Sequence, residues 1–160
     1  QDYRTLFKTG DCVDLMLGPQ KSEKGEGNLR LLISALGGKP VAVLYRKVVP
    51  GTPEKERVPF SSPWRTILFD RVTREDAVRV TVNPAPGGYL VEAAVPWKVL
   101  GVEPKPGLKL RGDFGVLSAD AGGTVTVSRR YWSNGGTGLV NDVPGEADLA
   151  PEAWGDWVLQ

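Results

Sequence analysis

The chain has no histidine, one cysteine (Cys12) and one methionine (Met16) in 160 residues. Without histidine there is no Ser-His-Asp or Cys-His nucleophile, no histidine-ligated zinc and no His–Met ligation of haem. A single cysteine forms no internal disulfide, and Cys12 reads as an apolar filler within a strand. Neither sign of charge is in excess: 20 basic against 19 acidic residues leave a net charge of +1. That argues against a dedicated nucleic-acid surface, and the arginines are scattered through strands with no basic run. No apolar stretch approaches the roughly 20 residues needed to span a bilayer. Phosphate loops and dinucleotide fingerprints are missing too, because the glycine pairs lack the spacing and the following helix. No signal peptide is visible in a sequence that starts at Gln1.

What the chain does have is glycine and proline, 20 and 13 residues, too many for a helical bundle and normal for short strands joined by turns. Its length fits one domain over residues 1–160, large enough to bury roughly two thirds of its unfolded surface. Alternating apolar residues predict strands at Cys12–Leu17, Leu29–Leu36, Val41–Val49, Ala77–Val82, Tyr89–Val95, Phe114–Ser118, Val125–Tyr131 and Asp156–Leu159. Gly37-Gly38 predicts a hairpin between the second and third of these. Phe60–Asp70 is ambiguous, with a turn at Ser61-Ser62-Pro63-Trp64, and Ser133–Ala153 reads as a long irregular segment. In the strand Tyr89–Val95, Tyr89, Val91, Ala93 and Val95 share one face. Pro96 ends that ladder, and Trp97–Leu100 becomes a short helical corner closed by Gly101.

Four stretches carry a family resemblance. They are Gly10-Asp11-Cys12-Val13-Asp14-Leu15-Met16-Leu17, Asn28-Leu29-Arg30-Leu31-Leu32, the run Gly87–Gly101, and Arg130-Tyr131-Trp132-Ser133-Asn134 with Leu149-Ala150-Pro151-Glu152-Ala153-Trp154-Gly155. In this order, with Trp-Gly before a terminal strand, they resemble the carbohydrate-binding modules of family 9, within the wider group of DOMON-like β-sandwiches. The resemblance implies an all-β, antiparallel, jelly-roll-like sandwich. It also implies a non-catalytic glycan-binding module of an exported multidomain protein, extracellular or periplasmic, whose partners are a glycan and its neighbouring domains. The family's earlier strand pair, with its W-D-x-x-x-L-Y-like segment, has no counterpart here. The domain is therefore expected to lack N-terminal strands, with residues 1–10 poorly anchored.

Asp14 and Arg30 match the strand acid and strand arginine that line the sugar site in relatives. An acceptor-only carboxylate beside a donor-only guanidinium suits adjacent sugar hydroxyls, which both donate and accept. The same pair also reads as an inward ion pair that holds the sheet and binds nothing. Sugar rings lie on aromatic faces. Trp132 and Trp64, beside loops, are the better platforms, whereas Trp97, Trp154 and Trp157 read as packing. Relatives place one aromatic before the D-x-V-E strand and another before P-x-x-[FW]-G. Phe7 stands at the first place, but Asp148 occupies the second.

Relatives also carry structural calcium, which takes six to eight oxygens. Asn141, Asp142, Glu146 and Asp148 supply oxygens in the loop 134–148, although their spacing matches no strict calcium motif. The plainer reading is a loop turned by Asx and Gly residues and held by Trp132 and Leu139 packing inward. Hydrolysis of a glycosidic bond needs two placed carboxylates. Asp11, Asp14, Asp70, Glu92, Asp113 and Asp120 qualify by type, and nothing in the sequence marks a pair. The rival to glycan binding is a structural or protein-interaction sandwich whose sugar site has decayed.

Overall fold

The computed structural model describes residues 2–137, 139 and 142–160. The elements in chain order are β1 (Cys12–Pro19), β2 (Leu29–Leu36), β3 (Lys39–Arg46), β4 (Val58–Ser61), β5 (Thr66–Phe69), β6 (Arg71–Arg74), β7 (Arg79–Ala85), β8 (Gly88–Ala94), α1 (Trp97–Leu100), β9 (Lys109–Ala119), β10 (Thr126–Tyr131), α2 (Val143–Ala147) and β11 (Gly155–Val158). One-turn 3₁₀ segments occur at Glu54–Glu56 and Pro151–Ala153, and a longer one at Tyr3–Lys8. The fold is all-β and antiparallel, as the spacing of turns and alternating residues predicts.

A seven-stranded sheet in the order β10-β9-β1-β2-β3-β6, with β11 also paired to β9, forms the centre of a sandwich-like structure. Each face of this sheet is covered in part by a hairpin. The β2–β3 hairpin turns at Gly37-Gly38, both at positive φ (58° and 75°), the combination a two-residue type I′ turn needs. Side-chain alternation through the registers of β1, β2, β3 and β9 divides the sheet into two faces. One face carries Cys12, Asp14, Arg30, Leu32, Val43 and Tyr45. The β4–β5 hairpin packs there through Phe60 and Phe69, together with the N-terminal turn and α2. The opposite face carries Leu17, Leu29, Leu31 and Leu44, and is covered by Val78 and Val80 of the β7 segment and by Leu100 of α1.

Three expectations change. Residues 2–9 are firmly held, because Leu6 and Phe7 are fully buried and Phe7 meets Tyr45 and Phe60 at ring centroid distances of 6.2 and 5.9 Å. Polar flanking residues hid this anchor, since two apolar side chains set no period. Trp97 is 42% exposed rather than core, and Leu100 is the α1 residue that packs inward. Finally, residues 133–153 are not wholly irregular: α2 starts where the Asp142 carboxylate accepts the Gly145 N–H at 3.0 Å.

Because Phe7 fills the space between the β4–β5 hairpin and the sheet, Phe7→Ala is expected to destabilise the fold by about 3–5 kcal/mol. Urea unfolding of the two chains measures this difference.

Candidate functional site

The sheet brings Asp14 and Arg30 to adjacent strands on one face, both fully buried. Arg30 donates from Nε to Asp14 Oδ1 at 3.0 Å and from Nη2 to Asp14 Oδ2 at 2.7 Å, a bidentate fork. Its Nη1 donates to the Glu146 carbonyl of α2 at 2.9 Å. The guanidinium lies over the Phe7 and Tyr45 rings, 5.0 and 5.7 Å from their centroids. Burial works against the arginine's charge, but Asp14 together with Tyr131 and Tyr45 outweighs it, and the guanidinium holds its proton more tightly than in water. The pair is thus enclosed by protein, and Phe7 serves as part of the enclosure rather than as an open platform.

Tyr131 closes the network by donating to Asp14 Oδ2 at 2.5 Å. Its ring reaches Asp14 across Gly115, which stands between the two in the sheet register. A Cβ at Gly115 would lie 2.6 Å from the Tyr131 ring, so only glycine permits that crossing. Burial pushes the Tyr131 hydroxyl well above its ordinary pKa, and the adjacent Asp14 adds to the shift. Tyr45 is raised chiefly by burial, and burial pushes the Cys12 thiol up to about 11.

Beside this network lies a cavity of about 200 Å³, lined in part by Asp113, Arg129, Tyr131, Asn134, Glu146 and Asp148. Asp113 is buried and structural. Its Oδ1 accepts the N–H groups of Phe114 and Ser133 at 2.9 and 2.8 Å, and its Oδ2 accepts that of Asn134 at 2.9 Å. Arg129 donates from Nη2 to the Glu146 carbonyl at 3.0 Å. Glu146 Oε1 pairs with Lys8 Nζ at 2.8 Å. Each of these two residues keeps one buried polar atom without a partner, Arg129 Nε and Glu146 Oε2. Buried polar atoms are nearly always satisfied, by protein, water or ligand. Both residues line the cavity, and a carboxylate acceptor beside a guanidinium donor suits a hydroxyl, which answers both.

The aromatic platforms lie elsewhere. Trp132 follows Tyr131 in the chain and falls on the opposite face of the sheet, 55% exposed and stacked on Phe114 at 5.9 Å between centroids. Trp132 and the Asp14–Arg30 fork therefore do not meet; Phe7, Tyr45 and Tyr131 are the aromatics that do. Trp64 is 82% exposed at the tip of the β4–β5 hairpin, without a neighbouring platform ring. Strand alternation through residues 129–132 already carries the signal for Arg129 and Tyr131, once the inward residue of the pair is known.

The proposed calcium ligands do not converge. Asp142 pairs with Arg65 at 3.2 Å besides capping α2, Glu146 pairs with Lys8, and Asp148 pairs with Lys47 at 2.8 Å. Asn141 lies outside the described residues. Among the described residues no group of three or more metal-ligating side chains comes together. Among the described residues, Asp142, Glu146 and Asp148 each serve an ion pair, and Asp142 also caps a helix.

Fold and site together define an antiparallel β-sandwich with a small polar cavity at one sheet face. Comparison with protein-family models, curated proteins and solved structures gives no match.

Two outcomes follow from the buried network. Asp14→Asn strands the Arg30 charge without its counter-ion and is expected to destabilise by about 3–5 kcal/mol, whereas Asp14→Leu with Arg30→Met removes both charges and retains most stability. Denaturant titration compares them. The second concerns alkaline pH. Cys12, Tyr45 and Tyr131 all have folded pKa values above their ordinary 9.0 and 10.0. Their stabilising contribution is complete below the unfolded values and is lost as pH rises through the folded ones. Thermal midpoints should fall from pH 9 upward, and less steeply in Tyr131→Phe.

Proposed function

We propose that this chain is a non-catalytic glycan-binding module resembling the family 9 carbohydrate-binding modules, exported and joined to other domains. It holds one terminal sugar residue in the cavity beside Tyr131. The observation that carries this reading is that Arg129 and Glu146, a cation and a carboxylate each with one unpartnered buried atom, line a single cavity. At about 200 Å³ the cavity is smaller than the roughly 300–1,000 Å³ typical of drug-sized ligands, so it suits one ring rather than a chain. Glu146 supplies a carboxylate acceptor and Arg129 a guanidinium donor for neighbouring hydroxyls, and Tyr131 provides a ring for the C–H face. Asp14 and Arg30 act through position: one fixes Tyr131, the other fixes the backbone carbonyl of Glu146.

A protein-interaction role is the second reading, and one feature favours it. Phe114 and Val116 on the sheet face opposite the cavity are about half exposed. The β7–β8 hairpin above that face forms a separate two-stranded sheet, so β8 keeps an unpaired edge.

Calorimetric titration with a panel of neutral oligosaccharides tests the first reading. Arg129→Gln and Glu146→Gln should each weaken binding about tenfold, the order expected for a lost hydrogen bond to a charged group. The unfolding midpoint should change little in Arg129→Gln and fall in Glu146→Gln, which also loses the partly buried ion pair with Lys8. If Trp132→Ala removes binding and the two cavity variants do not, the ligand sits on the opposite face. If a folded chain binds no glycan, the interaction reading takes its place.

A further inference from the structure

The chain's net charge is only +1, yet its fold gathers four cations at one place. Arg46, Arg71, Arg74 and Lys98 line an open cleft of about 560 Å³ between the β3–β6 edge and α1, with Glu75 the one acid on its wall. None of the four forms an ion pair with a carboxylate among the described residues. Arg46 instead donates from Nη2 to the Val99 carbonyl at 2.6 Å. Glu75 is engaged too, accepting from the Thr73 hydroxyl at 2.7 Å through Oε1.

The register sharpens this. Arg46 and Arg71 stand directly opposite each other on β3 and β6. Side chains directly opposite share a sheet face, and like charges there repel and destabilise the pairing. Arg46 is only half exposed, and burial together with the Arg71 charge weakens its hold on its proton, partly offset by Glu75. A sheet that keeps such a pair at its edge, with a third and a fourth cation in the same cleft, holds positive charge in place at a cost in stability. Local rules broken without internal compensation mark functional sites. An oxyanion in the cleft removes the repulsion and accepts from several donors at once.

We infer that this cleft is an anion-binding site for a sugar unit bearing a sulfate ester or a carboxylate, separate from the neutral-sugar cavity on the other face of the sheet. The anion part stands on the cation cluster alone, and the sugar part rests on the glycan-binding reading. A short cleft with little net charge elsewhere on the chain favours one charged residue of a polysaccharide over a nucleic-acid track, which needs an extended basic surface.

The test titrates the full chain with heparin, with polygalacturonate, with a neutral glucan and with duplex DNA, at low and raised ionic strength. Heparin or polygalacturonate should bind, more weakly at raised ionic strength. Arg71→Gln combined with Arg74→Gln should weaken that binding on the order of tenfold. The unfolding midpoint of this variant should hold or rise, since one like-charge pair is gone. A merely structural role for the two arginines would lower it. Failure of both acidic polymers to bind overturns the inference, and so does duplex DNA binding as tightly with the same response to the variant. Neutral-glucan binding and its loss in Arg129→Gln report on the cavity independently. A chain that binds neutral glucan and no acidic polymer loses only this inference, and the reverse pattern overturns only the cavity.

Discussion

The ion pair between Arg30 and Asp14 is the constraint around which one half of this molecule is arranged. Two charges taken out of water cost several kcal/mol each unless their partners and remaining hydrogen-bond sites are supplied by protein. Here Nε and Nη2 of the arginine take the carboxylate, Nη1 takes a carbonyl of α2, and two aromatic rings cover the guanidinium face. The carboxylate also accepts a hydrogen bond from the Tyr131 hydroxyl. Four separate segments thus have their positions set by one buried pair: the N-terminal turn through Phe7, β3 through Tyr45, β10 through Tyr131 and α2 through Glu146. Removing either charge leaves the other uncompensated, so the arrangement holds together or fails as a unit.

This network explains why the cavity sits where it does. Tyr131 and Glu146 belong to its wall, and both are tied to the buried pair. Asp113 fixes the start of the loop after β10 with two backbone hydrogen bonds. Part of the wall is therefore built on strands and a capped helical turn, which hold polar groups more firmly than a free loop does. The opposite face of the sheet is different in kind. It carries the stacked Phe114 and Trp132 rings, and its β3–β6 edge borders the cluster of arginines. One sheet thus presents a sealed polar network on one side and open aromatic and cationic surface on the other.

Much of the framework was legible in the sequence. The Gly37-Gly38 hairpin, the β7–β8 pair, the helical corner at Trp97–Leu100 and the terminal strand follow from alternation and turn chemistry, both of which act over a few residues. That Asp14 and Arg30 lie inside strands among apolar neighbours was legible as well, and their burial as an inward pair was one of the two readings the sequence left open. The placement of Phe7 was not, because its burial depends on the β4–β5 hairpin, more than fifty residues away. Trp132 illustrates the same limit: alternation puts it opposite Tyr131, but only the pairing of β10 with β9 decides which of the two faces Asp14.

The sequence by itself determined the all-β class, the turns, and the exclusion of histidine-based chemistry, since composition and period need no knowledge of distant partners. Tertiary structure decided what meets what. Arg46, Arg71, Arg74 and Lys98 are scattered in the chain, as are Arg129 and Glu146, and no local pattern marks either group. Their convergence is fixed by strand register, which the burial of one whole sheet face selects, and a shift of one residue would turn every side chain to the other side.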